Sequence, residues 1–275
     1  MTRYAAMFER CSSRGEGAFG AFLMLGDPNA QAGAEYLEAL VEGGADMIEL
    51  GIPFSDPVAD GPVVQAAALR ALQAGVRTAD CLRLIAEFRV RHPDIPVGIL
   101  TYANIVAARG IGRFAVELAE AGADSLLVAD VPTLEAEPYA KAARAAGIGL
   151  VMIAAPNTPE PALGRIAELS SGYTYCVARD GVTGADRGPS FRHSALFEGL
   201  ARLGAPPPVL GFGIGTPDQV RAALQAGAAG VVCGSALVRL VEAGASPRAL
   251  SNLVKELKAA TRAATQNLAF AAEKR

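Results

Sequence analysis

A short phrase that recurs along the chain constrains the fold more than any other feature of the sequence. Each copy consists of a helix end, a glycine suited to a left-handed cap, and a turn into an apolar run. The copies read EGGAD before residue 47, EAGAD before residue 125, RAAGIG before residue 150 and QAGAAG before residue 231. A repeated helix–glycine–strand unit predicts an architecture in which strands and helices alternate.

Eight strand-like segments follow a short N-terminal helix at about residues 4–11, with helices between them. The segments are short, apolar and little charged, as expected of parallel strands that helices cover. They span residues 17–25, 46–50, 96–100, 125–129, 149–153, 173–177, 209–212 and 230–233. Eight such units in 275 residues favour a (β/α)8 TIM barrel, in the α/β class. An open doubly wound sheet is the alternative for the same pattern.

No linker or shift in composition divides the chain, so we predict a single barrel domain over residues 1–275. Hydrophobic residues make up 51% of the sequence, which is enough for a substantial core. We expect that core at about residues 17–264. The last helix, at about residues 247–264, should end in a polar tail.

Charge and hydropathy disfavour several classes of function. The formal net charge is −3 and no long basic run occurs, which argues against nucleic acid as a partner. The longest apolar runs have the length of strands, too short to span a membrane, and the N-terminus is too polar for a secretory signal. The cysteines have neither metal-ligand spacing nor a disulfide pattern, which indicates buried free thiols in a reducing cytoplasm. They are Cys11, Cys81, Cys176 and Cys233.

An acidic strand end is the first candidate for chemistry. Residues 46–62 read DMIELGIPFSDPVADGP, which places Glu49 inside an apolar strand and Asp60 in the loop that follows. Catalytic groups of barrels come from strand C-terminal ends and the loops after them. We expect one carboxyl group to be buried, with a raised pKa, and the other to stay charged on a wetter loop. The alternatives are an edge-strand glutamate and, for Asp60, a turn or helix-capping residue ahead of Pro62.

Glycine loops form a second candidate, at residues 181–184, 211–215 and 234–235. Glycine lets backbone N–H groups approach an anion without a side chain in the way. The last two loops follow the seventh and eighth strands, where barrels often bind phosphate. Tyr175 is a third candidate, either as a hydroxyl that serves the site or as a core tyrosine.

Two kinds of chemistry lack the residues they need. No lysine lies at a strand end, which disfavours a Schiff-base or pyridoxal enzyme within this chain. His92, in a helix end, and His193, in a polar loop, have no partner at ligand spacing and are interpreted as solvated side chains, so no metal site is expected. What remains is acid–base chemistry by carboxylates on a phosphorylated substrate, in a pocket with apolar lining.

These residues carry a resemblance to a known family. The stretch ELGIPFSDPVADGPVVQ, at residues 49–65, resembles the signature of tryptophan synthase α subunits. The similarity runs in unbroken order over about residues 4–241. It continues through MLGDP, TYANIV, ADVP, APNT, GVTGA, GFGIGTPDQV and GVVCGSALV.

The resemblance implies a lyase of tryptophan biosynthesis that cleaves indole-3-glycerol phosphate to indole and glyceraldehyde 3-phosphate. It implies Glu49 as the acid–base residue, Asp60 as the second carboxylate and Tyr175 as an assisting group. The implied phosphate site consists of Gly184, Gly213, Gly234 and Ser235, and Thr183, beside Gly184, is a further substrate-binding residue. The implied indole pocket is lined by Phe22, Leu100, Leu127, Ala129, Ile153 and Phe212.

The resemblance also implies a partner, a β subunit that holds pyridoxal phosphate in an α2β2 heterotetramer, with no cofactor or metal in this chain. The loops 53–61 and 179–194 are interpreted as a lid that the partner orders. Two residues depart from the family pattern, Gly215 in place of a serine and Asp180 in place of a small residue. A stand-alone lyase that releases free indole, and a catalytically idle activator of the β subunit, stay open as alternatives.

Overall fold

The computed structural model describes the backbone of residues 1–177 and 193–272, and the side chains of residues 1–177 and 193–262. Its strands alternate with helices, as the recurring phrase predicts. The strands are β1 Ala18–Met24, β2 Met47–Gly51, β3 Val97–Thr101, β4 Ser125–Val128, β5 Gly149–Leu150, β6 Ile153–Ala154, β7 Thr174–Val177, β8 Pro208–Gly211 and β9 Gly230–Cys233.

Helices follow the strands and cover the sheet from outside. They are α1 Arg3–Ser13, α2 Ala30–Glu42, α3 Pro62–Gln73, α4 Thr78–Arg91, α5 Ala103–Arg109, α6 Ile111–Ala121, α7 Glu137–Ala145, α8 Glu160–Leu169, α9 His193–Arg202, α10 Pro217–Gln225, α11 Ser235–Glu242 and α12 Pro247–Ala272. The last helix therefore continues beyond its predicted end at 264. In the ranges that the structure describes, no helix has the length and apolar character needed to cross a bilayer.

The parallel strands close into a (β/α)8 barrel, which confirms the predicted fold. Their order is β5-β4-β3-β2-β1-β9-β8-β7-β6. The predicted fifth strand is present as two pieces, β5 and β6, separated by Val151 and Met152. Val151 N–H donates to the Leu126 carbonyl on one side (2.9 Å), and Tyr175 N–H donates to the Met152 carbonyl on the other (3.0 Å). Both ends of the sheet thus meet in one short stretch of chain.

The aspartate of the recurring phrase has a structural role at the N-terminal end of the barrel. Asp46 Oδ2 accepts the Phe19 N–H at 2.8 Å, and Asp124 Oδ2 accepts the Val97 N–H at 2.8 Å. Each carboxylate is paired with a cation, Asp46 with Lys258 at 2.7 Å and Asp124 with Arg89 at 2.6 Å. The phrase thus links the start of one strand to its neighbour in two places.

Helix α1 closes this end of the barrel with a tyrosine. Tyr4 is buried, its hydroxyl lies 2.8 Å from Ser125 Oγ, and its ring lies 5.2 Å from that of Tyr173. Gly98 makes room for it, because a Cβ there would lie 3.0 Å from the Tyr4 hydroxyl. The interior is therefore filled partly by a side chain from outside the strands.

The cysteines and the histidines test what the sequence predicted about the burial of their side chains. All four cysteines are buried free thiols, as predicted. The interpretation of His193 as solvated is wrong, because it begins α9, is 2% exposed and stacks on Phe197. His92 is the C-cap residue that follows α4, and its Nε2 lies 2.8 Å from Glu38 Oε2. Neither histidine lies at a strand end.

Candidate active site

Glu49 lies inside the barrel, in the middle of β2. The strand register places it opposite Phe22 of β1 and Gly98 of β3. Its side chain is 2% exposed, and the Tyr173 hydroxyl donates to its Oε1 at 2.9 Å. Burial raises the pKa of Glu49 to about 7; the Tyr173 hydrogen bond lowers it and the charge of Asp60 raises it. Glu49 can therefore both give and take a proton near neutral pH.

Asp60 is folded back over the barrel mouth by the loop between β2 and α3. Its N–H donates to the Pro57 carbonyl at 3.1 Å, and its own carbonyl accepts from Gln65 Nε2 at 2.7 Å. The side chain does not cap the helix, since α3 begins after Gly61 without a side-chain cap. The capping alternative for Asp60 is therefore not what the structure has.

Asp60 is also more buried than the sequence suggests. It is 6% exposed rather than on a wet loop, and burial raises its pKa to about 6. The nearby Tyr102 hydroxyl lowers that pKa. Within the described residues, Asp60 Oδ2 and the Tyr102 hydroxyl each lack a hydrogen bond of ordinary geometry. An acceptor oxygen in the barrel mouth is thus left for a ligand donor.

Two tyrosines that the sequence reasoning did not assign to the site belong to it. Tyr173 shares a strand face with Tyr175, two residues away, and this alternation is the signal that places both hydroxyls inside the barrel. Tyr102 follows β3, and its ring stacks on Phe54 of the acidic loop with centroids 5.4 Å apart. That contact packs the loop that carries Asp60 onto the neighbouring strand end.

Tyr175 is 4% exposed and lies opposite Val209 of β8. A Cβ on Gly211 would lie 2.0 Å from its hydroxyl, so only glycine fits there. Burial raises the pKa of Tyr173 and Tyr175 well above the usual value, so both hydroxyls stay protonated as donors.

The apolar residues assigned to the indole pocket mostly share the inward face. Leu100 pairs with Leu127 two residues beyond the Gly98–Ser125 pair. Because side chains alternate along a strand, both leucines lie on the same face of the sheet as Glu49. Phe22 lies opposite Glu49, and Ile153 lies opposite Tyr175. Ala129 follows β4 two residues after Leu127, and Phe212 follows β8. The strand ends therefore supply an apolar wall around the carboxyl groups.

The phosphate candidates lie at two adjacent strand ends, since β8 pairs with β9. Gly213 follows β8 with a φ of +75°. Gly234 precedes α11 without a side-chain cap, and Ser235 is the first residue of that helix. Free N–H groups at a helix start and in a glycine turn are suited to an anion. Thr183, Gly184 and Asp180 lie outside the described residues, as does most of the predicted lid at 179–194.

A buried ion pair supports the mouth of the barrel. Asp27, which follows β1, is 4% exposed and accepts two bonds of 2.8 Å from Arg70 of α3. Arg70 also reaches Glu242 at the end of α11, at 3.2 Å. The pair links the loop after β1 to α3, which follows the loop that carries Asp60, and to α11, which follows the candidate anion site. In the part of the chain that the structure describes, no three His, Cys, Asp or Glu side chains are grouped to hold a metal.

Comparison with known proteins gives one consistent relationship. A family model for the tryptophan synthase alpha chain matches residues 8–269. The tryptophan synthase alpha chain of Klebsiella pneumoniae is 47% identical over 269 residues, covering 96% of this chain and 100% of that protein. That of Shewanella oneidensis is 45% identical over 265 residues, covering 94% and 95% respectively.

Solved structures agree over nearly the same length. A tryptophan synthase structure from Mycobacterium tuberculosis matches with a TM-score of 0.87 at 32% identity, covering 95% of this chain and 98% of that chain. A chain of the tryptophan synthase α2β2 complex from Pyrococcus furiosus matches with a TM-score of 0.81 at 37% identity, covering 88% and 98%. The barrel and its order of strands are therefore similar to those of known enzymes.

Proposed function

The chain belongs to the tryptophan synthase alpha chain family, and from this we propose which of its residues carry out the reaction. The protein is a lyase of tryptophan biosynthesis that cleaves indole-3-glycerol phosphate. The products are indole and glyceraldehyde 3-phosphate. The observation that carries the assignment of residues is Glu49, a carboxyl group inside an apolar barrel with a pKa of about 7.

A retro-aldol cleavage needs an electron sink, and the substrate itself can supply one. Protonation of indole C3 turns the ring into an iminium-like cation. Removal of the proton from the adjacent glycerol hydroxyl then forms the aldehyde, and the electron pair of the broken carbon–carbon bond returns to the ring. One proton enters and one leaves, so a single group that shuttles protons is sufficient.

Glu49 is proposed as that group. With Tyr173 bound to Oε1, its other carboxyl oxygen is left to face the substrate. A pKa of about 7 lets the same side chain give a proton to C3 and take one from the hydroxyl without a large energetic penalty in either direction.

Asp60 is proposed to stabilise the cationic ring. Its Oδ2, which has no partner among the described residues, can accept a hydrogen bond from the indole N–H. Burial makes that interaction stronger than it would be in water. The pKa of Asp60, about 6, lies below that of Glu49, about 7, so Asp60 is the more readily ionised of the two carboxyl groups. Tyr175 is proposed to assist beside them, as a protonated donor.

The phosphate is proposed to lie between Gly213 and the start of α11, at Gly234 and Ser235. Thr183 and Gly184 are proposed to complete the site on the family resemblance alone. The apolar pocket from Phe22 to Phe212 would then hold the indole ring between phosphate and carboxyl groups.

We further propose a β subunit as partner in an α2β2 heterotetramer, with pyridoxal phosphate in that partner and no cofactor here. The solved relatives support this, since they include tryptophan synthase complexes. A cytoplasmic location is proposed on the same family grounds.

Release of indole from indole-3-glycerol phosphate by the isolated chain tests the proposal. We expect measurable turnover, reduced at least ~10²-fold by Glu49→Gln, the usual scale for loss of an acid–base group. Glu35→Gln, at an exposed position of α2, is the matched control and should leave turnover unchanged. If Glu49→Gln retains near-normal cleavage, the assignment of Glu49 is wrong. If the wild-type chain shows no cleavage alone or with a β subunit, the idle activator is supported instead.

A further inference from the structure

Phe212, the residue directly after β8, has an unusual backbone conformation. Its φ is +63°, and among the described residues it is the only non-glycine residue with a positive φ. An L-residue with a bulky side chain rarely adopts this region, because its Cβ approaches the following carbonyl group. Such a conformation persists only where the surrounding structure holds it, often at a functional site.

The left-handed turn brings the Phe212 ring inside the barrel. Gly211 faces the interior, since a Cβ there would lie 2.0 Å from the Tyr175 hydroxyl. Had the strand continued, alternation would have turned Phe212 outward towards the helices. Its ring instead lies 6.0 Å from that of Tyr175, edge to face at 75°. This contact is of the kind that aromatic pairs prefer, and it stabilises the strained backbone.

The same turn determines where the next backbone N–H groups lie. Gly213 is also left-handed, and a Cβ there would meet no atom of the described residues within 4 Å. The N–H groups of Gly213 and Ile214 donate to no other residue that the structure describes. Those of Gly215 and Thr216, by contrast, both donate to Gln219 Oε1, at 2.8 and 3.0 Å. The free donors therefore follow directly on the turn at Phe212.

We propose that Phe212 is a positioning residue that couples two parts of the substrate site. Its left-handed backbone directs the N–H groups of Gly213 and Ile214 to the phosphate, while its ring, held against Tyr175, forms one wall of the indole pocket. The inference rests on the proposed function, because both subsites belong to indole-3-glycerol phosphate. It adds that the apolar wall and the phosphate site form together, through the backbone of a single residue.

Calorimetric titration of the full chain with two separate probes tests the coupling. Glycerol 3-phosphate reports the phosphate subsite, and indole reports the apolar wall. Phe212→Gly removes the ring but adopts a positive φ freely, whereas Phe212→Val removes the ring and resists that conformation. Leu127→Ala is the matched control, because it removes a large apolar side chain from the same pocket at a residue in the regular strand β4.

Indole affinity should fall at least ~10-fold in all three variants, since each loses a large apolar side chain of the pocket. Glycerol 3-phosphate affinity should stay within about threefold of wild type in Phe212→Gly and Leu127→Ala, and fall at least ~10-fold in Phe212→Val. If Phe212→Val does not fold, Phe212→Asn against Phe212→Ala gives the same comparison, because asparagine tolerates the left-handed region.

Equal glycerol 3-phosphate affinities in the glycine and valine variants would overturn the role of Phe212. That outcome leaves the proposed function intact if the wild-type chain still releases indole from indole-3-glycerol phosphate. Absence of that cleavage would overturn the proposed function instead, so the two failures are distinguishable.

Discussion

At the scale of single residues, the two carboxyl groups proposed for catalysis reduce the stability of the fold. Glu49 and Asp60 are both almost fully buried, and neither is paired with a cation among the described residues. Burial without a counter-charge favours the neutral carboxyl group, which raises both pKa values towards neutrality. A proton shuttle of this kind needs that shift, since an exposed carboxylate would stay ionised at pH 7.

The cost of Glu49 should appear as a pH-dependent stability. Its pKa is raised from 4.5 to about 7, so the folded state binds the Glu49 proton more tightly than the unfolded chain does. The stabilisation that this proton gives the fold is fully present below about pH 4.5 and is lost as pH rises through 7. Glu49→Gln removes the titration. We expect the variant to be more stable than wild type by up to about 3 kcal/mol above pH 7, and by little near pH 4.5.

Urea unfolding of both proteins at pH 5 and pH 8 measures this difference, and the other titrating groups are common to both. Glu35→Gln, on the exposed side of α2, should show no such pH-dependent gain. If the free energy of unfolding differs between wild type and Glu49→Gln by the same amount at both pH values, the assigned pKa shift is contradicted.

At the scale of elements, helix α1 contributes a side chain to the barrel interior. The inward face of the strands carries glycines at several positions near Glu49, such as Gly20 and Gly98. Tyr4 of α1 fills the space at Gly98 and contacts Tyr173, which in turn donates to Glu49. The N-terminal helix is therefore connected to Glu49, the proposed acid–base group, through the side chain of Tyr173.

Substitutions at Tyr4 should separate packing from hydrogen bonding. Tyr4→Ala empties a buried aromatic position and should reduce the free energy of unfolding by about 3–5 kcal/mol. Tyr4→Phe keeps the ring but leaves Ser125 Oγ without its partner, which should cost about 1–3 kcal/mol. Chemical denaturation measures both, with the exposed Glu9→Ala on the same helix as control. If Tyr4→Ala costs no more than Glu9→Ala, then α1 does not close the barrel in solution.

At the scale of the whole molecule, the two ends of the barrel have different roles. The N-terminal end holds the paired aspartates, Asp46 and Asp124, which link strands and helices. The C-terminal end holds Glu49, Asp60 and the glycine turns, as is usual for chemistry on this fold. Asp60 reaches its buried position only because the loop at residues 53–61 folds back over the mouth. A partner that binds at this mouth can therefore act on catalysis through the loop.

We accordingly expect slow cleavage by the isolated chain and faster cleavage with a tryptophan synthase β subunit. A partner that favours the closed loop tenfold supplies about 1.4 kcal/mol of coupling. Indole-3-glycerol phosphate turnover with and without the β subunit measures the activation, and hydrogen exchange of residues 53–61 should slow in the complex. The exposed Val58 marks the part of that loop that remains available for contact. Full activity alone, with no change on addition of the β subunit, would support the stand-alone lyase.

The sequence by itself determined the alternation of strands and helices, the number of eight such units and the strand position of Glu49. These depend on periodicity and on glycine caps, which are local properties that neighbouring residues carry. Resemblance then supplied the residue roles. The positions of the strand ends follow from the same local signals, so the side of the barrel that carries the chemistry was also predictable.

Tertiary structure alone decided the environments of the side chains. Tyr173 donates to Glu49 across 124 positions of sequence, and the loop that buries Asp60 packs on the end of β3 through the Phe54–Tyr102 ring contact. The fifth strand is split into two pieces, of which β5 pairs with β4 and β6 pairs with β7. Phe212 faces inward although strand alternation predicts the opposite. Each outcome depends on contacts between residues far apart in the chain, and local pattern carries no information about such contacts.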